Sequence, residues 1–289
     1  MISKPWAILQ GLLRHYHGED MSVFVKFLPE EEQEAFLKAS IGSPSKKHEL
    51  FPHLESKISR IHYSWLTEKF QSFSGEEIYH YYLSVLSKKQ AEGVSRLVGV
   101  PQREVSCSSL GKKFLLHKLG KELLDDKEEL PFHFLPESPC NVLLDQSKRG
   151  LVNLINFLGI RSLAEKLLDL NCEKLMKAVG EVLSSKKKDY LSLCLEEGLA
   201  SPFYFLQLEE WDGDKRKMEM LLHQEGLKRL AQTLSGEHLG LLWHLCHKLD
   251  NGRGSALMDD FSGERKAEET NVLVSQLSNL LSFLGKGTT

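Results

Sequence analysis

Apolar residues recur at intervals of three and four along most of this chain, and alternating apolar–polar runs are nearly absent. Residues 110–124, LGKKFLLHKLGKELL, show this spacing, and so does the stretch 53–72 with Leu54, Ile58 and Ile61. Intervals of three and four place apolar side chains on one face of a helix, whereas strands need an interval of two. The pattern predicts an all-α protein built from many short helices.

One helix–turn–helix unit occurs twice. Residues 66–78 read LTEKFQSFSGEEI, and residues 227–239 read LKRLAQTLSGEHL. Aligned without gaps, five positions are identical: Leu66, Gln71, Ser74, Gly75 and Glu76 match Leu227, Gln232, Ser235, Gly236 and Glu237. Each copy predicts a helix, a serine at the break and a second helix. Reuse of one unit is typical of stacked helical repeats, which usually bind other proteins, so we predict armadillo-like, right-handed helical modules in two or three subdomains.

Two proline-rich segments predict breaks between helical regions. The first is GSPSKKHELFP at 42–52, and the second is ELPFHFLPESPC at 129–140, which has three prolines and no helical period. We therefore predict an N-terminal helical subdomain over 1–45 and a first helical module over 50–128. The segment 129–140 is the predicted linker, and a second module with a C-terminal amphipathic helix is predicted over 140–289.

Glycines mark the predicted ends of helices in the second module. The breaks are expected at Gly159, Gly198, Gly213 and the NGRG run 251–254. The predicted helices cover 147–158, 160–169, 172–183, 186–198, 214–234, 236–250 and 267–284.

A further helix is predicted directly after Pro29. Its sequence, EEEQEAFLKAS, begins with three glutamates, which favour the positive end of the helix dipole. Phe36 and Leu37 follow, and we expect both side chains to turn inward.

Composition narrows the classes of partner. Of the 289 residues, 41% are hydrophobic, which is enough for a folded core. The 37 basic and 40 acidic residues give a net charge of −3, and this near balance argues against a nucleic-acid partner. The N-terminal sequence does not resemble a secretory signal, and no apolar window reaches the roughly 18 residues of a spanning helix. Five cysteines without a CxxC pair indicate free thiols in a reducing compartment. We expect a soluble, intracellular protein.

The densest group of candidate metal ligands is LLWHLCHKLD at 241–250. His244 and His247 are three residues apart and would share one helix face. Zinc needs a third and usually a fourth ligand. His223 or His238 could supply one, but nothing in the spacing requires it. We favour an amphipathic helix with the histidines at its margin, and we predict no metal site.

Signatures of catalysis are also missing from the sequence. It contains no GxSxG, GxxxxGK[ST], HExxH or GxGxxG motif. The NGRG run at 251–254 has no preceding strand and is interpreted as a tight turn between helices. Cys194 lies in an apolar helical stretch without a nearby histidine, so we interpret it as a buried, inert thiol. We predict no enzyme, no catalytic residue and no cofactor.

The last predicted helix, NVLVSQLSNLLSFLG, carries leucines spaced four, three and four in a heptad-like stripe. Such a helix either caps its own domain or docks into a groove of a partner. The apolar residues of the N-terminal segment pose the same choice. If the last helix docks on a partner, deletion of 265–289 should remove that contact and leave 1–260 folded. The candidate partner-binding residues are Leu273, Leu277, Leu280, Leu284, Trp6 and Leu9.

Two stretches resemble a known family. LPEEEQEAFLKAS at 28–40 is similar to the recurring Leu-Pro-Glu-Glu-x-Gln segment of the flagellar rotor-switch proteins, which sit on the cytoplasmic face of the basal-body ring. Residues 224–261 are similar to the right-handed helical modules of that family. The His-Pro-Gln motif of the family is missing, and IHYSW at 61–65 is the nearest analogue.

The resemblance implies a non-enzymatic scaffold or adaptor of a flagellar-type or type III secretion basal body. Such a protein would link a membrane ring to cytoplasmic components such as the sorting platform through protein–protein contacts. It would be cytoplasmic, without insertion into the membrane, and it would reach the inner face of the membrane only through protein partners. The alternatives are a helical-repeat adaptor or regulator unrelated to secretion and, less favoured, a metal-dependent hydrolase built around His244 and His247.

Overall fold

The structure, a computed structural model, describes most of the chain and is all-α, as the spacing of apolar residues predicts. Every regular element of the described residues is a helix. The chain divides into two compact units, unit 1 over Met1–Pro136 and unit 2 over Glu137–Thr289. The border lies inside the predicted linker 129–140, and the two segments predicted before it both belong to unit 1. The described residues are 9, 25–38, 54–71, 76–124, 135–198, 208, 211–262 and 267–285.

Unit 1 packs short helices against one another. The described helices are α1 (Glu30–Lys38), α2 (Leu54–Ser59), α3 (Tyr63–Gln71), α4 (Glu76–Val85), α5 (Lys88–Val98) and α6 (Ser109–Leu124). The helix α3 lies against α5, the helix α6 lies against α2, α3 and α4, and α4 also contacts α5. The side chains of Phe36, Leu66, Phe70 and Leu119 are fully buried.

One buried polar side chain ties two elements of unit 1 together. The amide nitrogen of Gln90, near the start of α5, donates to the carbonyl oxygens of Ile58 at 2.7 Å and Ile61 at 2.8 Å. Its amide oxygen accepts from the hydroxyl of Ser87, the residue before the helix, at 2.7 Å. These bonds give a donor to the carbonyl of Ile61, just after α2, and a second donor to that of Ile58, which also accepts from the backbone nitrogen of Ile61 at 3.0 Å.

Unit 2 is organised around the contact between its two longest described helices. The described helices are α7 (Lys148–Leu170), α8 (Glu173–Val182), α9 (Ser185–Glu197), α10 (Lys215–Leu234), α11 (Leu239–Lys248), α12 (Asn251–Asp259) and α13 (Ala267–Gly285). The helix α7 packs against α10. The helices α9 and α13 also pack on α7, while α12 and α13 pack on α10. The helix α11 contacts α12 and a 3₁₀ helix at Pro139–Asp145.

The predicted break at Gly159 is wrong, because α7 runs through it without interruption. A Cβ atom on Gly159 would lie 1.9 Å from the carbonyl oxygen of Leu222 on α10. A Cβ atom on Gly226 of α10 would lie 1.8 Å from the carbonyl oxygen of Ile155 on α7. The two glycines therefore allow the helix backbones to touch, and Gly159 serves packing rather than termination.

The NGRG run is also not a turn, because residues 251–254 form the first turn of α12. Asp250 caps this helix, and its carboxylate accepts from the backbone nitrogen of Arg253 at 3.3 Å. The breaks predicted at Gly198 and Gly213 are confirmed, since both residues have a positive φ, 77° and 89°. The sequence pattern cannot separate these cases, because a glycine suits a helix end and a close crossing equally well.

The second copy of the repeated unit forms two helices separated by a short break. The helix α10 ends at Leu234, Ser235 follows as its C-cap, and Gly236 has a positive φ of 76°. In the first copy, α3 and α4 flank residues 72–75, which lie outside the described residues. One prediction for α1 is wrong: Phe36 is fully buried, but Leu37 is 62% exposed, because successive side chains point about 100° apart around a helix.

Candidate functional site

The two candidate metal ligands of α11 are engaged with its own tryptophan. The Nδ1 atom of His247 donates to the carbonyl oxygen of Trp243 at 2.9 Å, and the two rings stack at 4.1 Å. The ring of His244 meets the same tryptophan edge-on at 5.2 Å. In the part of the chain that the structure describes, no three His, Cys, Asp or Glu side chains are grouped so that they could hold a metal ion.

The other two histidines considered as ligands also have local partners. His238 caps α11, and its Nδ1 accepts from the backbone nitrogen of Gly240 at 3.0 Å. The Nδ1 of His223 donates to the side-chain oxygen of Asn156 at 2.7 Å, and its Nε2 accepts from Arg253 at 2.8 Å. Burial, helped by the neighbouring Arg253 cation, lowers the pKa of His223. Its neutral ring therefore bridges α7 and α12 rather than pointing at an open site.

Cys194 is placed as a buried thiol, in agreement with the sequence-based interpretation. Its side chain is 1% exposed, and burial raises its pKa, although Arg161 and Tyr190 act in the opposite direction. A raised pKa disfavours the thiolate, which is the nucleophilic form. Burial likewise raises the pKa of Cys246 to about 12. Neither thiol is suited to nucleophilic chemistry in this fold.

The densest polar constellation is a buried ion cluster that the sequence analysis did not identify. The guanidinium of Arg229 on α10 forms two bonds to the carboxylate of Glu165 on α7, at 2.7 and 2.8 Å. The same guanidinium donates to the hydroxyl of Ser162 at 3.1 Å and to the amide oxygen of Gln276 on α13 at 2.6 Å. Each of these four side chains is at most 6% exposed. One arginine thus links three helices.

A second arginine extends this cluster to α9. The Nε atom of Arg161 lies 3.4 Å from Glu165, and its other end pairs with Glu197 at the C-terminus of α9. Two guanidinium groups therefore face two carboxylates, so the cluster is close to charge-balanced. Because Glu165 is shared by both arginines and is 1% exposed, the arrangement suits structural fixation rather than proton transfer. We refer to Arg161, Ser162, Glu165, Glu197, Arg229 and Gln276 as the ion cluster.

A signal for the ion cluster is present in the sequence. Arg161 and Ser162 interrupt the apolar positions of α7, and Arg229 lies between Leu227 and Leu230 on α10. Charged residues inside apolar stripes are expected to be paired when they are buried. The pairing partners lie 64 residues apart in sequence, so a pattern read along the chain gives no means of matching them.

The leucines proposed for partner binding lie in the core of unit 2. Leu273, Leu277 and Leu280 are at most 2% exposed, and Leu284 is half-buried. This burial agrees with the alternative that the last helix caps its own unit, and partner binding by these side chains stays a prediction. At the other end of the chain, Leu9 is half-buried. The other N-terminal candidate, Trp6, lies outside the described residues.

The expectation that 1–260 would stay folded after deletion of 265–289 is contradicted by this packing. The helix α13 supplies three buried leucines to the core, and its Gln276 bonds to Arg229. Removal of the helix would expose that apolar surface and leave Arg229 with one fewer acceptor. The truncation would therefore perturb the unit itself.

A shallow surface cavity of about 590 Å³ lies in unit 1 beside α4 and α5. It is lined by Leu83, Ser84 and Ala91 and by the extended segment 102–106. Arg103 and Glu104 contribute opposite charges to the same rim, and the hydroxyl of Ser84 donates to the carbonyl oxygen of Tyr81 on its own helix at 2.7 Å.

Comparison with known proteins identifies no relative. No family model matches the chain, and neither a curated protein nor a solved structure does. Among the described helices, none combines the length and the apolar character needed to cross a lipid bilayer.

Proposed function

We propose that this chain is a non-enzymatic scaffold or adaptor in a flagellar-type or type III secretion basal body. It links a membrane ring to cytoplasmic components through protein–protein contacts made by its two helical units. Its location in this proposal is cytoplasmic, at the inner face of the membrane through protein partners.

One observation supports a binding role over a catalytic one. The histidine and cysteine side chains considered for catalysis are buried or hydrogen-bonded within the fold, whereas large apolar side chains are exposed on helix surfaces. His223 bridges two helices, His247 bonds to its own helix and Cys194 is buried. By contrast, Leu110 is 77% exposed and Leu239 is 67% exposed. Apolar side chains on a helical scaffold are the kind of surface through which repeat proteins bind partners.

The secretion role within this proposal rests on the resemblance of 28–40 and 224–261 to the rotor-switch family. The second stretch corresponds to the end of α10 together with α11 and α12, which are short helices joined by tight breaks. That arrangement is compatible with the helical modules of the family. An adaptor unrelated to secretion would have the same architecture, so the partners decide between the two.

The test is capture of partners with the full-length chain. The tagged chain is expressed in its native organism at natural abundance, crosslinked and purified, and the bound proteins are quantified by mass spectrometry. Enrichment of basal-body ring or sorting-platform components over an untagged strain is the expected result. Enrichment of other proteins, or of none, would contradict the secretion role.

Two matched surface variants assign the contact to a unit. Leu110→Ser with Phe114→Ser alters unit 1, and Met220→Ser with Leu239→Ser alters unit 2. All four side chains are at least 62% exposed, so both variants should fold normally. Selective loss of ring or platform components from one variant would locate their contact. Elemental analysis of the purified chain checks the enzyme alternative, because stoichiometric metal would contradict a purely structural role.

A further inference from the structure

The helix α6 exposes a face that is both apolar and basic. Leu110 is 77% exposed and Phe114 is 63% exposed, and four lysines stand exposed on the same helix. The segment 109–121 carries no acidic residue. The opposite side of the helix packs into unit 1 through Leu116 and Leu119. We call the exposed residues Leu110, Lys113, Phe114, Lys118 and Lys121 the basic face.

The helix α1, together with the turn before it, exposes a face of opposite charge. Phe27 is 79% exposed, Leu37 is 62% exposed, and Glu30 and Glu34 lie exposed between them. Glu30, Glu34 and Leu37 are spaced four and three, so they follow one side of α1, and Phe27 stands exposed in the turn before the helix. We call Phe27, Glu30, Glu34 and Leu37 the acidic face.

The two faces match in two properties. Each has two large exposed apolar side chains, and their charges are opposite. Both faces belong to unit 1, and both are exposed in the same chain, so they do not cover each other there. Exposed apolar side chains of this size, flanked by charge, are typical of a surface that another protein covers.

We propose that the basic face of one copy of this chain binds the acidic face of a second copy. Phe114 and Leu110 pack against Leu37 and Phe27, while the lysines pair with the glutamates around this apolar centre. Because the two faces differ, each bound pair leaves one basic and one acidic face uncovered. Such a heterologous contact closes into a ring or continues as a filament. This contact does not depend on the secretion role, since it rests on surfaces of the chain alone.

The test is sedimentation velocity of the full-length chain over a range of concentrations and salt. Association that grows with concentration and weakens at high salt is expected, because the charged rim is screened. Reversal of the basic face by Lys113→Glu with Lys118→Glu places like charges together and should weaken association about tenfold or more. Reversal of the acidic face by Glu30→Lys with Glu34→Lys should do the same.

Mixing provides the decisive control. Neither reversed chain should self-associate, but the two together should associate in equal proportions, because the natural faces match each other and so do the reversed faces. A chain carrying all four reversals should recover self-association. Lys174→Glu with Lys177→Glu on α8 makes the same charge change at exposed positions of unit 2 and should leave association unaltered. Circular dichroism checks that every variant is folded.

Three results would overturn the proposal. The first is a wild-type chain that stays monomeric at every concentration and salt. The second is association that both reversals leave intact, or that the four-fold reversal does not restore. The third is a monomeric chain that binds vesicles of anionic lipid through the basic face, which would assign that face to a membrane surface.

Discussion

The two units use different interactions to hold helices together. In unit 1 the contacts are mostly apolar and aromatic, and Phe70 meets Tyr79 and Tyr82 at ring distances of 6.0 and 5.8 Å. In unit 2 the ion cluster, which is buried except at Glu197, joins four helices, and two glycines bring α7 and α10 into backbone contact. Apolar packing tolerates variation in shape, whereas paired buried charges and glycine crossings have strict geometric requirements. Single substitutions at these contacts should therefore destabilise unit 2 more than unit 1.

The largest effect is expected from loss of the central arginine. Arg229→Met leaves the carboxylate of Glu165 buried with only its longer contact to Arg161, so unit 2 should lose about 3–5 kcal/mol of stability. Hydrogen exchange of peptides from α7, α10 and α13 measures the loss. Because the double variant Arg229→Met with Glu165→Met leaves no unpaired charge at this position, it should lose less than the single variant. A double variant that is less stable than Arg229→Met would contradict the stabilising role given to the pair of Arg229 and Glu165.

The next effect concerns the helix crossing. Gly226→Ala adds a Cβ atom that would overlap the carbonyl oxygen of Ile155, so α7 and α10 must separate. Overpacking of this kind costs about 1–3 kcal/mol or more. Gly180→Ala on α8 is the matched control, because nothing lies within 4 Å of its new Cβ atom. That control should gain about 0.5–1 kcal/mol from helix propensity, and denaturant unfolding distinguishes the opposite signs.

A smaller loss of stability is expected in unit 1 when Gln90 is replaced. Gln90→Leu keeps the approximate volume of the side chain but removes a donor from the carbonyl oxygens of Ile58 and Ile61. A buried group left unsatisfied costs about 1–3 kcal/mol, and we expect the low end because the carbonyl of Ile58 keeps the backbone nitrogen of Ile61 as a donor. Hydrogen exchange in α2 and α5 should rise. Unchanged exchange would show that the amide does not join these elements.

The smallest effect is a dependence on pH at His223. Its pKa is lowered in the folded state, so between the folded and unfolded pKa values the unfolded chain binds more protons. Stability is therefore full above the unfolded value near 6.5 and falls as the pH drops through the folded value. His223→Gln keeps an amide donor without titration, so unfolding of this variant should depend less on pH between 7.5 and 5.5. Equal slopes would contradict this source of pH dependence.

The spacing of apolar residues predicts the helical class and most helix positions, because helix periodicity is a local property. It fails at Gly159 and at 251–254, where the role of a glycine depends on a helix distant in sequence or on a cap. The prediction for Leu37 fails for another reason. A leucine that faces solvent cannot be told from one that faces the core by residue type alone. The pairing of Arg229 with Glu165 could not be predicted, because nothing local links positions so far apart.

The spacing of His244 and His247 does not require a metal site, and in the structure both rings contact Trp243. The stripe of leucines that includes Leu273 and Leu277 predicts that this helix face is buried. It does not show whether the covering surface belongs to a partner or to the same chain.

A glycine-mediated crossing and the ion cluster hold α7 and α10 together. Hydrogen exchange of the full-length chain with Gly226→Ala, beside Gly180→Ala, tests it most directly. Faster exchange in the peptides of α7 and α10 for Gly226→Ala alone is the predicted result. Exchange in both helices that is as slow as in the wild-type chain would contradict it.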